Sequence, residues 1–345
     1  MPKIKLLFVT NQLGIGGTEK TLQILCKYLD KSKFDVYVCG RLTGGIRQAE
    51  IEKYSVPVYI KPPSVDRLIR ELKIDIYHVH RAGDYEPGTL PQRKPSGLKI
   101  VETNVFGELD MGENYLIDCH IFVSKFCRDR YLRRYCQFHN KCYEVIYNPV
   151  DFDEFPIAER KFHCAFGNLN RPDDQKWHEL GIRIIPKVIR KVSNARCYLM
   201  GATDRVRGLI QSFGVQDHVY YLPPSLDVAA FYNQVDVFTH ASKAGESFGC
   251  VIAEAMANKI PVVTLNMPQY KKGNAQAELV EDQVNGFVCK TESQYASAVI
   301  ELLENHRLRE KLGEQAYQKA QDCFDAWKIA KKLESLYVAL MDTKF

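Results

Sequence analysis

The chain alternates apolar, strand-like runs with amphipathic helical stretches, and after its midpoint the alternation starts again. No other feature restricts the fold as strongly, because repeated strand–helix units pack as parallel sheets covered by helices. Residues 3–9 read as a buried strand and 10–17 as a polar loop carrying Gly14, Gly16 and Gly17. Thr18 is then expected to cap a helix with Leu22, Leu25, Cys26 and Leu29 on one face. Further strands are expected at 34–39, 74–80, 99–104, 116–123 and 143–147, with a helix capped by Ser64 and a basic helix over 125–134. Asn148-Pro149-Val150-Asp151 interrupts the pattern near the middle. Strands then resume at 162–166, 197–200, 218–222, 235–239 and 260–264, and a helix carrying Ile329, Leu333, Leu336 and Leu340 closes the chain. The expectation is an α/β protein of two domains, 1–150 and 151–324, with a terminal helix over 325–345. A length of 345 residues exceeds what one ordinary core supports.

Composition narrows the function classes. Hydrophobic residues make up 46% and charged residues 26%, with no low-complexity bias, and the net charge is +5. That charge permits anionic ligands or a membrane surface and does not demand nucleic acid. The apolar run Leu6-Leu7-Phe8-Val9 is too short for the core of a signal peptide, and no stretch has the length of a membrane-spanning helix. Eleven scattered cysteines with no Cys-x-x-Cys pair suit a reducing, cytoplasmic setting better than a disulfide framework. Cys127, Cys136, His139 and Cys142 match no common zinc spacing and are expected to be structural, so no metal is expected.

The chemistry concentrates in 246–254, where a polar turn with one glycine leads into an alanine-bearing helix bracketed by Glu246 and Glu254. Glu254 is surrounded by Ile252, Ala253, Ala255 and Met256, a setting in which a carboxylate is costly unless paired. It is either a structural ion pair or a ligand for hydroxyl groups. The loop Gly14 to Gly17 is a weak signal alone, since Glu19 stands where a dinucleotide fingerprint needs its third glycine. Polar residues gather just past expected strand ends (Asn11, His80, Asn104, Ser124), where doubly wound sheets bind ligands.

Gly245-Glu246-Ser247-Phe248-Gly249 through Glu254-Ala255-Met256-Ala257 and Pro261-Val262-Val263 resembles the Glu-(seven residues)-Glu motif of family 4 retaining glycosyltransferases. Gly16-Gly17-Thr18-Glu19, Ile146 to Asp151, Val235 to Phe238 and Glu278 to Phe287 resemble further segments of that family in the same order, so the resemblance spans nearly the whole chain. It implies the GT-B fold, two Rossmann-like domains with parallel sheets facing a central cleft, and a closing helix that returns to the first domain. It also implies a nucleotide-sugar donor, a glycan, lipid-linked or small-molecule acceptor, and no cofactor. By resemblance, Glu254 takes the ribose diol, Glu246 faces the donor sugar, and the amides of Ser247, Phe248 and Gly249, with Gly16 and Gly17, meet electron-rich oxygens.

Two departures stand out. The family's diphosphate lysine matches Lys176, but its arginine position falls on Asn168, leaving Arg171 as the substitute cation. Where many relatives place a histidine, this chain has Asn104, so His80, Asn104 and Glu19 are the acceptor-side candidates, with His78 on the same strand face as His80. Asp151-Phe152-Asp153 spells a metal motif of another glycosyltransferase fold but falls in the interdomain segment, and is read as coincidence. Lys125, Arg128, Arg130, Arg133 and Arg134 on the basic helix fit either a membrane surface or a solvated face. An epimerase or phosphorylase-like enzyme on the same fold, and a non-catalytic nucleotide-sugar-binding relative, remain alternatives.

Overall fold

Leu6, Leu7, Phe8 and Val9 are all fully buried, so the first strand has no solvent face. Such a strand needs helices on both sides. Leu6 and Phe8 pack with Leu22, Leu25, Ile329 and Tyr337, whereas Leu7 and Val9 pack with Leu68 and Ile69. The computed structural model describes residues 2–82, 86–109, 114–135, 142–156, 161–266 and 273–342. The chain divides into two units, Met1–Pro149 with Asp325–Phe345, and Val150–Phe324.

The first unit runs β1 (Ile4–Thr10), α1 (Gly17–Tyr28), β2 (Phe34–Gly40), α2 (Arg47–Glu52), β3 (Val58–Ile60) and α3 (Val65–Leu72). It continues through β4 (Ile76–Arg81), β5 (Lys99–Asn104), β6 (Cys119–Phe122), α4 (Lys125–Arg134) and β7 (Cys142–Val145). The second unit runs β8 (Ala165–Leu169), α5 (Glu179–Lys191), β9 (Arg196–Met200), α6 (Asp204–Ser212), β10 (Val219–Leu222), α7 (Ala229–Tyr232) and β11 (Val237–His240). After these come α8 (Cys250–Ala257), β12 (Val262–Leu265), α9 (Gln276–Leu279), β13 (Gly286–Cys289), α10 (Glu292–Glu304) and α11 (His306–Cys323). The last helix, α12 (Ala326–Asp342), belongs to the first unit.

The strand orders are β3-β2-β1-β4-β5-β6-β7 and β10-β9-β8-β11-β12-β13. All pairings described are parallel. Strand order reverses between β1 and β4 in one unit and between β8 and β11 in the other, and ligands of doubly wound sheets bind beyond the strand ends at such points.

Three local expectations are corrected. Gly16, not Thr18, is the N-cap of α1, and the helix already includes Gly17 and Thr18. The strand expected at 162–166 is Ala165–Leu169. Cys164 has φ +53, which breaks an extended run, and the Asp236 carboxylate fixes the chain there by accepting from His163 N at 3.0 Å and Ala165 N at 2.8 Å. The strand expected at 116–123 shortens to Cys119–Phe122 behind a 3-10 turn over Asn114–Leu116.

Between β4, β5 and β6 the first unit buries a charged cluster. Arg81 contacts Glu102 Oε1 through Nε at 2.7 Å and Nη2 at 2.6 Å, and donates from Nη2 to Asn114 at 2.8 Å. His120 Nδ1 lies 2.5 Å from the other Glu102 oxygen. Burial alone would push the Glu102 carboxyl up, but Arg81 and His120 outweigh it and hold it at about 2.

Candidate functional site

The turn that carries Glu246 is shaped by its backbone. Gly245 has φ +72, and a Cβ there would run into the carbonyl oxygen of Gly273, so only glycine fits. Gly249 has φ +103 and is the N-cap of α8. Between them, Glu246 is pinned on both sides of its peptide. Its N–H donates to Gln276 Oε1 at 3.1 Å and its carbonyl accepts from Ala275 N at 2.9 Å. Gln276 is 1% exposed and donates from Nε2 to Leu265 O at 3.0 Å, which ties the turn to the end of β12.

The Glu246 side chain is 12% exposed and meets two cationic or proton-bearing groups. Lys176 Nζ donates to Oε1 at 2.9 Å and Oε2 at 3.0 Å. His240 Nε2 stands 3.3 Å from Oε1, without the alignment of a hydrogen bond. Burial raises the Glu246 carboxyl, yet Lys176 and then His240 overcome this and bring it down to about 2, so Glu246 is ionised at neutral pH. Lys176 itself ends a 3-10 turn, Asp174–Lys176, capped by the Asp173 side chain. The carbonyl of Gln175 in that turn accepts from Lys243 N at 3.0 Å and Ala244 N at 3.2 Å. The segments after β8 and β11 are therefore laced together, and the lacing sets Lys176 against Glu246.

Glu254 lies on α8 at 5% exposure, and Tyr232 is fully buried beside it. The Tyr232 hydroxyl lies 3.0 Å from Glu254 Oε2 and 2.9 Å from Val251 O. The apolar setting of Glu254 thus contains a protein hydroxyl partner. The Phe248 ring is 1% exposed and meets Phe324 edge-on at 5.3 Å, so its side chain is core and only its backbone is available to a ligand. Ser247 is half-buried in the turn.

The two replacement sites behave differently from expectation. Asn168 is not in a loop: it lies inside β8 at 4% exposure, where its Oδ1 accepts from Asn170 Nδ2 at 2.9 Å. Arg171 does lie beyond the strand end and is exposed; its carbonyl holds Trp177 Nε1 at 3.3 Å and Asp173 N at 2.8 Å.

In the first unit, Asn104 is 1% exposed and fully engaged. Its Oδ1 accepts from Gly107 N at 2.8 Å and Glu108 N at 3.3 Å, and its Nδ2 donates to Glu108 O at 2.6 Å. It closes the 105–108 turn, which corrects its assignment as an acceptor contact. His78 is likewise structural, with Nδ1 2.6 Å from the Tyr337 hydroxyl and Nε2 2.8 Å from Thr103 Oγ1. His80 stacks on it at 4.7 Å and is 4% exposed, with neither ring nitrogen hydrogen-bonded. Gly16 and Gly17 form the uncapped N-terminus of α1, and the Glu19 carboxylate is 7% exposed, folded back beside Gly16.

Two family models divide the chain between them. "Glycosyltransferase Family 4" matches residues 15–154 and "Glycosyl transferases group 1" matches residues 155–319. The chain belongs to the group 1, family 4 glycosyltransferases. Among curated relatives, spore coat protein SA of Bacillus subtilis (strain 168) is 31% identical over 127 residues, 35% of this chain and 32% of that protein. The capsular polysaccharide biosynthesis glycosyltransferase CapM of Staphylococcus aureus is 26% identical over 207 residues, 55% of this chain and 52% of that protein. These matches span about a third to a half of the relatives' own lengths. Among solved structures, Anabaena HepE in complex with UDP and glucose superposes with a TM-score of 0.77 at 17% identity, covering 97% of this chain and 100% of that one. The fold is the two-Rossmann GT-B architecture of this family.

Three residues of the site escape sequence reasoning: His240, Gln276 and Tyr232. A histidine closing an apolar strand six residues before Glu246 was a usable signal. Gln276 and Tyr232 carry none, since their contacts arise only from tertiary packing. On α4, Arg130 is 6% exposed and donates to Phe106 O at 2.8 Å and to Glu108, so it does not face a membrane. Arg134 also pairs with Glu108 at 3.0 Å, and Arg128 with Asp129 at 2.8 Å. Cys136 and His139 lie outside the described residues. Among the described residues no cluster of His, Cys, Asp and Glu could hold a metal, and no helix is long and apolar enough to cross a membrane. The Asp151 side chain caps the 3-10 turn Phe152–Glu154 by accepting from Asp153 N at 3.1 Å.

Proposed function

We propose that the protein is a retaining, metal-independent glycosyltransferase of the cytoplasm, moving a sugar from a nucleotide-diphosphate sugar to a hydroxyl of a glycan, lipid-linked or small-molecule acceptor. One observation carries this reading: Glu246, pinned in a positive-φ glycine turn at the strand-order reversal of the second unit, faces Lys176. The cation and the carboxylate suit the two ends of such a donor, a diphosphate and a sugar. HepE, whose structure holds UDP and glucose, supports a donor of that class.

In this reading the anomeric C–O bond to phosphate breaks as the acceptor hydroxyl attacks from the same face. The hydroxyl proton passes to the departing phosphate oxygen, giving a glycoside and a nucleoside diphosphate. Lys176 stabilises charge growing on the leaving diphosphate, with Arg171 reaching in from the exposed turn. The amides of Ser247, Phe248 and Gly249 supply further positive potential. Glu254, with Tyr232 behind it, accepts the ribose hydroxyls. His80 and Glu19 remain the acceptor-side groups. Lys125, Arg128, Arg133 and Arg134 are left as the cations for a peripheral membrane contact.

A thermal-shift panel of UDP-, GDP- and ADP-sugars tests the donor class. A matched donor at a hundredfold excess over its Kd raises the melting temperature by roughly 5 °C or more. Anomeric NMR of the product tests retention, and activity in excess chelator tests metal independence. Donor binding without transfer or hydrolysis favours the non-catalytic alternative, for which the wholly structural Asn104 is the motivating observation.

A further inference from the structure

His240 ends β11 and pairs in register with Thr264 of β12. Its ring is 1% exposed and fixed by the centre of the sheet. Nδ1 faces Thr264 Oγ1 at 3.5 Å; with the threonine proton turned toward Nδ1, the ring proton sits on Nε2, the side of Glu246. Yet Nε2, 3.3 Å from Glu246 Oε1, has no aligned acceptor. A buried ring nitrogen without an aligned hydrogen bond is costly, so a small shift of the Glu246 carboxylate toward Nε2 is favourable.

Lys176, by contrast, is spent: its ammonium serves both oxygens of Glu246 and is 22% exposed on a turn. A lysine is a compact charge on a flexible stem, and a diphosphate offers it more negative charge than one carboxylate does. If Lys176 leaves, Glu246 is stranded at 12% exposure, and an uncompensated carboxylate at that depth is strongly unfavourable.

We infer that His240 is a positioning residue that takes over the Glu246 carboxylate when the donor's diphosphate draws Lys176 away. The inference rests on the nucleotide-sugar reading. It makes the His240–Glu246 contact a requirement for accepting a second phosphate and not for holding the fold. His240 acts through Glu246, keeping the carboxylate oriented toward the donor sugar in the loaded state.

The test compares wild type, His240→Leu and His240→Gln by calorimetry with UDP and UMP, or the diphosphate and monophosphate of whichever base the donor panel selects. A glutamine amide reaches near the position of the imidazole Nε2 and keeps a donor; leucine does not. Expected is a roughly tenfold loss of diphosphate affinity in His240→Leu beyond any loss for the monophosphate, with His240→Gln within about threefold of wild type. Ligand-free melting temperatures of the two variants should agree within a few degrees. Where leucine melts far lower, His240→Asn, which retains the Thr264 side of the ring but not the Nε2 donor, takes its place. Equal losses for both nucleotides, or the same loss in His240→Gln, overturn the inference alone. Absence of nucleoside diphosphate binding in wild type overturns the nucleotide-sugar reading and the inference with it.

Discussion

Lys176 Nζ straddles the Glu246 carboxylate, 2.9 Å from one oxygen and 3.0 Å from the other. The charge of Glu246 is therefore neutralised by a residue of the site itself. Whatever binds Lys176 must first compete with Glu246, and whatever replaces Glu246 releases Lys176.

Glu246→Gln should accordingly separate binding from turnover. Freed from its carboxylate, Lys176 becomes fully available, and nucleoside diphosphate affinity by calorimetry should rise several-fold. Transfer or donor hydrolysis should fall by a hundredfold or more, on the order of 3 kcal/mol in transition-state stabilisation. Weaker diphosphate binding in this variant would show that Lys176 was not being held back.

Two glycine-to-alanine changes should have opposite signs. At Gly245 the φ of +72 and the carbonyl of Gly273 leave no place for a Cβ, so Gly245→Ala should cost about 2 kcal/mol or more and shift Glu246. At Gly208, inside α6, a Cβ meets nothing within 4 Å, and Gly208→Ala should stabilise by about 0.5–1 kcal/mol. Denaturant melts of both variants check the pair.

Asn104→His introduces the residue type that the family resemblance would place here, but should not add chemistry. The side chain would lose the contacts to Gly107 N, Glu108 N and Glu108 O that close the 105–108 turn. A loss of about 2–3 kcal/mol is expected from unsatisfied buried groups, without a gain in turnover. Asn104→Asp keeps both accepting bonds and should be milder. Higher activity in the histidine variant would contradict the structural role.

Stability should fall in two acid steps. Burial pushes His80 down from 6.5 to about 4, so the unfolded chain binds its proton first as pH drops. That contribution is complete above about 6.5 and is lost as pH falls toward 4. Glu102, held at about 2 against an ordinary 4.5, contributes above 4.5 and loses its contribution between 4.5 and 2. His80→Gln should shrink the stability difference between pH 7 and pH 5 by on the order of 2 kcal/mol. An unchanged difference by chemical denaturation at the two pH values would exclude His80 as its source.

The fold was legible because parallel strands buried on both faces leave continuous apolar runs, as at Leu6 to Val9, and the helices between them keep their periodicity. The Glu246–Glu254 turn was legible because its glycines and carboxylates are local. Burial and pairing were not. Asn104 and Asn168 read as altered ligand positions, yet side-chain hydrogen bonds within the protein occupy both. Arg130 reads as one more surface cation and is buried against Glu108 from a turn 22 residues earlier. Ser64 caps α3 as expected, but the cap of α1 is displaced: Gly16 starts that helix without a side-chain cap, which residue type alone does not suggest.

The helix α12 contributes Ile329, Leu333 and Tyr337 to the same core as Leu6, Phe8 and Leu22. This gives synthesis a fixed order. Once the ribosome has made the first sheet, roughly 175 residues of the second unit must emerge before the helix that covers it. At ordinary elongation rates that is about 10–30 s during which a face of the first sheet lacks its final cover. A premature stop between Asp325 and Ile329 would therefore release a chain whose second unit is complete and whose first unit lacks that cover.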